Sequence, residues 1–162
     1  MAATDVREVL RINPSGRPGV APLDAPELAR LLSLPNEHLV ATEGGAVLAY
    51  ALAFHREAPY DGEEFQLLRG AIAQPFIYID QAAVAAGSRG RGLGRALYEE
   101  LERTAGHHKI RVLCCEVNSR PANPASLAFH QRMGFEFLAS VAVSDGRKVD
   151  LLTRTLGKSA GT

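Results

Sequence analysis

Residues 84–98 read Val-Ala-Ala-Gly-Ser-Arg-Gly-Arg-Gly-Leu-Gly-Arg-Ala-Leu-Tyr, at the point where an apolar run ends and a helix is predicted to begin. The first N–H groups of a helix have no acceptor within the helix and lie at the positive end of its dipole, so they bind anions readily. The glycines of this stretch let an anion approach the backbone, and Arg89, Arg91 and Arg95 supply positive charge around it. The sequence therefore predicts a phosphate-binding loop between a strand and a helix.

The spacing of the glycines excludes two common phosphate-binding loops. The dinucleotide fingerprint needs glycines at relative positions one, three and six, but the sixth position is Arg95 when counted from Gly90 and Leu97 when counted from Gly92. The nucleoside-triphosphate loop ends in Gly-Lys-Ser or Gly-Lys-Thr, and this loop does not. The spacing thus argues against a nucleotide-binding protein that uses the same loop for another diphosphate.

The pattern that remains, Arg89-x-x-Gly92-x-Gly94, resembles the pyrophosphate-binding loop of the GNAT acetyltransferase superfamily, which holds the diphosphate of coenzyme A. Residues 123–135, Asn-Pro-Ala-Ser-Leu-Ala-Phe-His-Gln-Arg-Met-Gly-Phe, are similar to the second signature of that family, Asn-x-x-Ala-x-x-x-Tyr-x-x-x-Gly-Phe. Ser126 stands in the Ala position and His130 in the Tyr position. The resemblance extends from about Val40 to about Leu156 and is weakest before Leu39. A plain Gly-rich loop and a plain helix start are the alternative interpretations of the two motifs.

The resemblance implies that acetyl-CoA binds between two central strands that splay apart. The backbone of residues 82–84 would bind the pantetheine arm on one side and Asn123 on the other. The residues assigned to the cofactor are Ala82, Ala83, Val84, Arg89, Gly90, Arg91, Gly92, Leu93, Gly94, Arg95, Asn123 and Ser126.

The activity implied by the family is direct transfer of an acetyl group to an amine, which must lose a proton before it can attack. Glu116 ends the predicted strand 110–117 and corresponds to a glutamate that serves as the base in ribosomal-protein N-terminal acetyltransferases. Asp80 is the second candidate, on the same side of its strand as Ala82 and Val84 if that strand has no bulge. A structural role for Asp80, as the partner of a buried donor such as Tyr78, is the alternative. Glu116 is preferred.

His130 replaces the tyrosine that serves many family members as the acid for the departing thiolate. Histidine can serve as that acid because imidazole titrates near neutral pH. Ser126 and Met133 share its helical face, so His130 is expected to point inward. Packing beside the cofactor without a catalytic role is the alternative. No covalent acyl-enzyme is implied, so Cys114 and Cys115 are interpreted as buried structural cysteines.

The composition agrees with one domain over residues 1–156, followed by a disordered tail over 157–162. The formal net charge of the 162 residues is zero, so nothing suggests a nucleic-acid partner. No apolar stretch is long enough for a membrane span, and the first residues do not resemble a secretion signal. Two adjacent cysteines cannot readily form a disulfide within a strand, and a reducing cytoplasm fits them best. The histidines show no metal-ligand spacing with a carboxylate or a cysteine pair, so no metal is predicted.

The patterns of apolar residues predict a mixed, mostly antiparallel α/β sheet with helices on both faces, in the order β-α-β-β-β-α-β-α-β-β. The first strand is predicted at Asp5–Ile12, and residues 57–74 are predicted to be a long irregular loop with a short amphipathic piece at 63–69. The family usually has two helices after its first strand. Only one is predicted here, which suggests an unusually open acceptor side.

The leading hypothesis is an acetyl-CoA-dependent N-acetyltransferase whose acceptor is a small molecule or a protein amine. Asp61, Glu63 and Glu64 hint at a cationic acceptor, although a solvated loop is the simpler interpretation of these residues. A CoA-binding sensor or interaction module without catalysis is the alternative from another functional class. A homodimer is suggested only by analogy with the superfamily.

Overall fold

The computed structural model describes residues 1–157, so residues 158–162 of the predicted disordered tail lie outside the described residues. The five α-helices of the described chain are α1 (Val6–Ile12), α2 (Ala25–Ser33), α3 (Glu63–Ala71), α4 (Leu93–His107) and α5 (Pro124–Arg132). Its six strands are β1 (Leu39–Glu43), β2 (Ala46–His55), β3 (Phe76–Val84), β4 (Val112–Arg120), β5 (Glu136–Ala142) and β6 (Lys148–Thr155). None of these helices is long and apolar enough to cross a membrane.

The strands form one sheet in the order β1-β2-β3-β4-β6-β5, and every neighbouring pair is antiparallel except β3 and β4. The parallel pairing of β3 with β4 begins at Phe76 and Val112 and ends at Ile79 and Cys115. Both strands continue beyond that point without pairing to each other, so the sheet opens between them. The predicted mixed, mostly antiparallel sheet is confirmed.

Two apolar cores cover the two faces of the sheet. Side chains of α1, α2 and α3 pack on one face, against Tyr50, Phe54 and Tyr78 among others. Side chains of α4 and the chain around α5 pack on the other face, against small residues of β2 and against Ile77 and Ile79. Cys114 belongs to the first core and Cys115 to the second, because successive residues of β4 point to opposite faces.

The first element is a helix, so the predicted strand at Asp5–Ile12 is wrong. Val9 and Ile12 are both fully buried, three residues apart on one face of α1. A short segment with a few apolar residues fits both periods, and only the packing partner separates them. Helices α1 and α2 therefore both precede β1, and the predicted reason for an unusually open acceptor side does not hold.

The segment 57–74 is not a long irregular loop. Residues 63–71 form α3, whose Phe65 and Leu68 are fully buried in the first core. The element order of the described chain is α-α-β-β-α-β-α-β-α-β-β rather than the predicted order. The amphipathic piece predicted at 63–69 is part of this helix, and its short length alone does not distinguish a helix from a loop.

A buried polar cluster fixes the segment between α1 and α2 onto the sheet. The side-chain amide of Asn13 donates to the hydroxyl of Tyr50 at 2.9 Å, to Oε1 of Gln81 at 3.1 Å and to the carbonyl of Ala21 at 3.0 Å. Its own oxygen accepts from the backbone N–H of Leu23 at 3.1 Å. Buried polar groups are retained when they are satisfied in this way. The cluster holds residues 19–23 beside the opening in the sheet.

Candidate active site

The opening between β3 and β4 is the floor of a cavity walled by α4, α5 and the segment before α2. The residues that line it are Gly19, Val20, Ile79, Asp80, Gln81, Ala82, Ala83, Val84, Gly94, Leu97, Tyr98, Cys115, Glu116, Ser126, Phe129 and His130. The three predicted catalytic residues and five of the predicted cofactor residues therefore line one cavity. Strands that separate leave backbone groups without a partner on their facing edges, which suits a ligand that carries amide groups.

A second hollow lies over the glycine-rich loop and adjoins the cavity. It is lined by Val84, Ser88, Arg89, Gly90, Gly92, Leu93, Gly94, Arg95, Phe129 and Arg132. Val84, Gly94 and Phe129 also line the cavity, so the two spaces adjoin along these residues. Arg91 and Asn123 line neither of them.

The loop has the backbone geometry that an anion site needs. Gly90 and Gly92 have φ angles of +73° and +79°, in the left-handed region that favours glycine. Gly92 is the N-cap residue of α4, so the N–H groups of the first turn of the helix face the hollow. A Cβ at Gly94 would approach the ring of Phe129 at 3.7 Å, an ordinary contact.

The three predicted loop arginines have partners within the protein. Arg89 donates to the backbone carbonyl of Ser15. Arg91 pairs with Glu43 at 2.6 Å and Arg95 with Glu99 at 2.9 Å. Ion pairs on the surface contribute little to stability, so each side chain can exchange its partner for a phosphate. Arg91 points toward β1 rather than into the hollow.

Two residues differ from the set that was predicted to bind the cofactor. Arg132, on α5, faces the same hollow and was not singled out from the sequence. Asn123 caps α5 by accepting from the N–H of Ser126 at 3.2 Å, and its side chain lies against Gly19. Asn123 therefore has a helix-capping role in this structure, and contact with a cofactor stays a prediction.

Asp80 lies at a bulge in β3, which reverses the side predicted for it. Gln81 pairs with Leu52 and Ile79 pairs with Ala53, so Asp80 is the extra residue between them. Its side chain consequently points to the face of Tyr78, not to the face of Ala82. The hydroxyls of Tyr60 and Tyr78 donate to Oδ1 of Asp80 at 2.8 and 3.2 Å.

Asp80 is poised to exchange a proton near neutral pH. Burial raises its pKa to about 6, although the two tyrosine hydrogen bonds act in the opposite direction. Those hydrogen bonds stabilise the ionised form. The predicted structural role, as a partner of Tyr78, is thus present together with properties that suit a base.

Glu116 is the first residue of β4 beyond its pairing with β3. Its Oε2 atom is buried and has no hydrogen-bond partner among the described residues. Burial, followed by the charges of Asp80 and Glu64, raises the pKa of Glu116 well above its usual value. When two nearby carboxylates share one site, the one whose ionised form accepts more hydrogen bonds ionises first. Asp80 accepts from two tyrosine hydroxyls, whereas Oε2 of Glu116 accepts from none of the described residues, so the first negative charge of this pair lies on Asp80.

His130 is buried and has a partner on each ring nitrogen. Nδ1 lies 2.8 Å from the backbone carbonyl oxygen of Ser126, and Nε2 lies 2.8 Å from the hydroxyl of Tyr98. A carbonyl can only accept, so we assign the proton to Nδ1, and Nε2 then accepts from the Tyr98 hydroxyl. Burial lowers the pKa of His130, which favours this neutral form.

Tyr98 is the residue that the sequence analysis missed. It follows the glycine loop by one helical turn, is 2% exposed, and lines the cavity beside His130. Burial raises its pKa well above the usual value. The family signature places a phenol at position 130, whereas this chain places an imidazole there and holds a phenol 2.8 Å away. In the sequence, the one indication that Tyr98 belongs to the site is its position on the apolar face of the helix that follows the loop.

A third hollow adjoins the cavity on the side of α2 and α3. It shares Asp80, Glu116 and Gln81 with the cavity and adds the carboxylates of Glu27 and Glu64. Arg147 is its one cationic side chain, and it is engaged by Glu64 at 2.7 Å, by Asp145 at 2.7 Å and by the side chain of Asn118 at 2.9 Å. Of the predicted acidic cluster, only Glu64 faces this space. Asp61 pairs with Arg30, and Glu63 accepts from Ser144.

Comparisons with known proteins agree with this geometry. The family model described as "Acetyltransferase (GNAT) family" matches residues 5–135. None of the curated proteins matches the chain.

Three similar solved structures have the same fold. The ribosomal-protein-S18-alanine N-acetyltransferase of Escherichia coli has a TM-score of 0.69 at 19% identity, over 99% of this chain and 93% of that chain. The ribosomal-protein-alanine N-acetyltransferase of Brucella melitensis has a TM-score of 0.70 at 22% identity, over 96% and 97%. A phosphinothricin acetyltransferase of Sinorhizobium meliloti, solved in complex with acetyl-CoA, has a TM-score of 0.71 at 22% identity, over 100% and 89%. At these identities the likeness shows the fold alone.

Proposed function

Because the chain belongs to the acetyltransferase (GNAT) family, we propose that it transfers the acetyl group of acetyl-CoA directly to a primary amine in a ternary complex. The observation that carries the proposal is a row of three adjoining spaces along the opened sheet, called the passage below, that share lining residues. The glycine loop lies at one end, the edge of β3 along the middle, and the Asp80–Glu116 pair at the other end.

The residues of the passage fit the parts of acetyl-CoA in order. The N–H groups of the first turn of α4 and the arginines around them would bind the diphosphate. The edge of β3 over residues 82–84 faces the opening and would hydrogen-bond to the amides of the pantetheine arm. When bound, acetyl-CoA supplies the acetyl thioester that the amine attacks.

The carboxylate pair and the Tyr98–His130 pair would manage the protons. Asp80 accepts a proton from the ammonium form of the acceptor, and Glu116 shares that role once the cation lies between them. The freed amine forms the N–C bond, its nitrogen gives a second proton to the carboxylate of the pair that is still ionised, and the C–S bond breaks. The departing thiolate then needs a proton. The hydroxyl of Tyr98, which donates to Nε2 of His130 at rest and lines the cavity, would turn to give its proton to the sulfur and regain one from solvent after the products leave.

Acetyl-CoA binding is the first expectation of the proposal. Calorimetric titration of the purified protein should show micromolar binding of acetyl-CoA, with NADH and ATP as negative controls. Replacing Gly94 by Glu should weaken that binding at least ~10-fold, because a carboxylate would lie where the helix terminus attracts an anion. An added Cβ would meet the ring of Phe129 at an ordinary contact distance, so we expect the fold to be retained.

The matched control is Gly70→Glu, on α3, where an added side chain meets no atom within 4 Å. This variant should bind as tightly as the wild type. Failure of acetyl-CoA to bind, or equal binding by the Gly94→Glu variant, would overturn the proposal. Binding without turnover on a panel of amines would instead identify a CoA-binding sensor.

We further propose that the acceptor carries a second positive charge. The hollow beyond the carboxylate pair has Glu27 and Glu64 in its lining in addition to Asp80 and Glu116. Arg147 binds Glu64 and Arg30 binds Glu27, so the four carboxylates exceed the cations that pair with them by two. A diamine should therefore be acetylated with a kcat/KM about tenfold or more above that of a monoamine of equal length, since a charge-assisted hydrogen bond contributes about 1.5–3 kcal/mol. Release of free thiol from acetyl-CoA measures both rates.

Two variants test the origin of this preference. Glu64→Gln should reduce the ratio of the two kcat/KM values, whereas Glu63→Gln should leave it unchanged because Glu63 binds Ser144 outside the hollow. A higher kcat/KM for the monoamine, or for an amine that carries a carboxylate, would contradict this choice of acceptor without affecting the acetyl-CoA site.

A further inference from the structure

A cluster of two imidazoles and a carboxylate lies at the end of the sheet opposite the cavity. Glu37 precedes β1, His55 ends β2 beside Ile77 at the start of β3, and His108 follows the last turn of α4. Nε2 of His55 is 2.6 Å from Oε1 of Glu37, and Nε2 of His108 is 3.4 Å from the same oxygen. One donor atom from each residue lies within 4.8 Å of the other two.

These separations are close to those of a metal site. Two donors that each lie about 2.1 Å from a tetrahedral Zn²⁺ ion are about 3.4 Å apart. The Glu37–His108 separation already has that value, the Glu37–His55 separation of 2.6 Å is shorter than it, and the donor atoms of the two histidines lie within 4.8 Å of each other. The two rings stand nearly perpendicular, with centroids 4.9 Å apart.

The chemistry of the donors and their exposure favour a transition metal. Imidazole suits zinc, copper and nickel, and a set of two histidines and one glutamate is a known zinc ligand set that leaves a position for water. The side chains of Glu37, His55 and His108 are 23%, 25% and 53% exposed, so an ion and its remaining water can reach them.

We propose that Glu37, His55 and His108 bind one divalent transition-metal ion, with Zn²⁺ preferred, through Oε1 of Glu37 and Nε2 of each histidine. The site is separate from the one proposed for acetyl transfer. None of its residues lines the cavity, the hollow over the glycine-rich loop or the third hollow on the side of α2 and α3. A bound ion would join the end of α4 to the edge formed by β1 and β2. The sequence did not predict it, since the three donors are 18 and 53 residues apart along the chain.

The test is titration of the chelator-treated full-length protein with Zn²⁺ alone, followed by calorimetry. We expect one ion per chain, with the dissociation constant raised at least ~10-fold by His108→Ala and by His55→Gln. Zn²⁺ should also raise the Tm of the wild type and not that of His108→Ala. The matched control is His107→Ala, because His107 neighbours the cluster on α4 and supplies none of its donor atoms.

Each outcome decides the proposal. The Tm of every variant without metal shows whether it is folded, and His108 is exposed enough for its replacement to be tolerated. Absence of Zn²⁺ binding to the folded wild type would overturn the site and leave an ordinary His55–Glu37 ion pair. Equal binding by wild type, His108→Ala and His55→Gln would place the ion elsewhere and overturn it as well.

Discussion

Replacing Asp80 by Asn is expected to lower kcat by ~10²-fold to ~10⁴-fold, the usual range for loss of a general base. The reason is that Asp80 carries the first negative charge of the carboxylate pair, supported by the hydroxyls of Tyr60 and Tyr78. Glu116→Gln should lower kcat as well, and the double variant should be less active than either single one. The rate of thiol release at saturating acetyl-CoA measures these effects.

The pH dependence of kcat/KM is a second test of Asp80 as the base. Only the ionised carboxylate accepts a proton, and burial raises the pKa of Asp80 to about 6. The wild-type kcat/KM should therefore fall as the pH drops below about 6, and this acidic limb should be changed in Asp80→Asn. In that variant the pKa of Glu116 should decrease, because the charge of Asp80 is one of the causes that raise it.

One control variant tests whether the effect is specific to Asp80, and two results would contradict the prediction. Asp61→Asn removes an acidic residue that pairs with Arg30 outside the cavity, and it should leave kcat and the pH profile unchanged. Full activity in Asp80→Asn together with loss in Glu116→Gln would assign the base to Glu116 alone. Full activity in both, at every pH, would mean that water deprotonates the amine.

Tyr98→Phe and His130→Ala are each expected to lower kcat by about 10²-fold while acetyl-CoA still binds. Tyr98→Phe removes one oxygen atom and with it the proton that the thiolate would receive. His130→Ala removes the hydrogen bond that holds the oxygen of Tyr98 in place beside the cavity. The two losses should not add in the double variant, because each change breaks the same hydrogen bond.

The dependence on pH separates the two possible donors. Burial lowers the pKa of His130, so little imidazolium exists at neutral pH. If imidazolium were the acid, kcat would fall as the pH rose through the lowered pKa. With Tyr98 as donor, kcat should stay level there. A kcat for Tyr98→Phe equal to that of the wild type, in a protein of unchanged Tm, would remove Tyr98 from the reaction.

The parts of the molecule that the sequence predicts well have local causes. The glycines of the loop, the caps of α4 and α5 and the apolar runs of β3 and β4 each determine their own conformation. The first helix was mispredicted for the opposite reason: Val9 and Ile12 fit a strand as well as a helix, and only their burial against the sheet decides for the helix. Short apolar segments are decided by tertiary packing rather than by local pattern.

The details of the site depend on contacts between distant segments. A bulge at residue 80 cannot be read from alternating side chains, because it arises where β3 is paired on one side and released on the other. The Tyr98–His130 hydrogen bond joins residues 32 apart, and the Glu64–Arg147 pair joins residues 83 apart. The motifs therefore predicted where the site lies, and the packing of the helices determines which protons it can move.

Cys114 and Cys115 can report on local opening at the two faces of the sheet. They are consecutive, yet each is buried in a different apolar core, and burial raises the pKa of both thiols. An alkylating reagent reaches Cys114 only when the layer of α1, α2 and α3 opens, and it reaches Cys115 when the layer of α4 and α5 or the cavity that Cys115 lines opens. When opening is fast relative to alkylation, the labelling rate of each thiol measures the free energy of opening on its own side. Mass spectrometry of the one tryptic peptide that contains both cysteines can thus compare local opening of the α1–α3 face with that of the α4–α5 face in the wild-type protein.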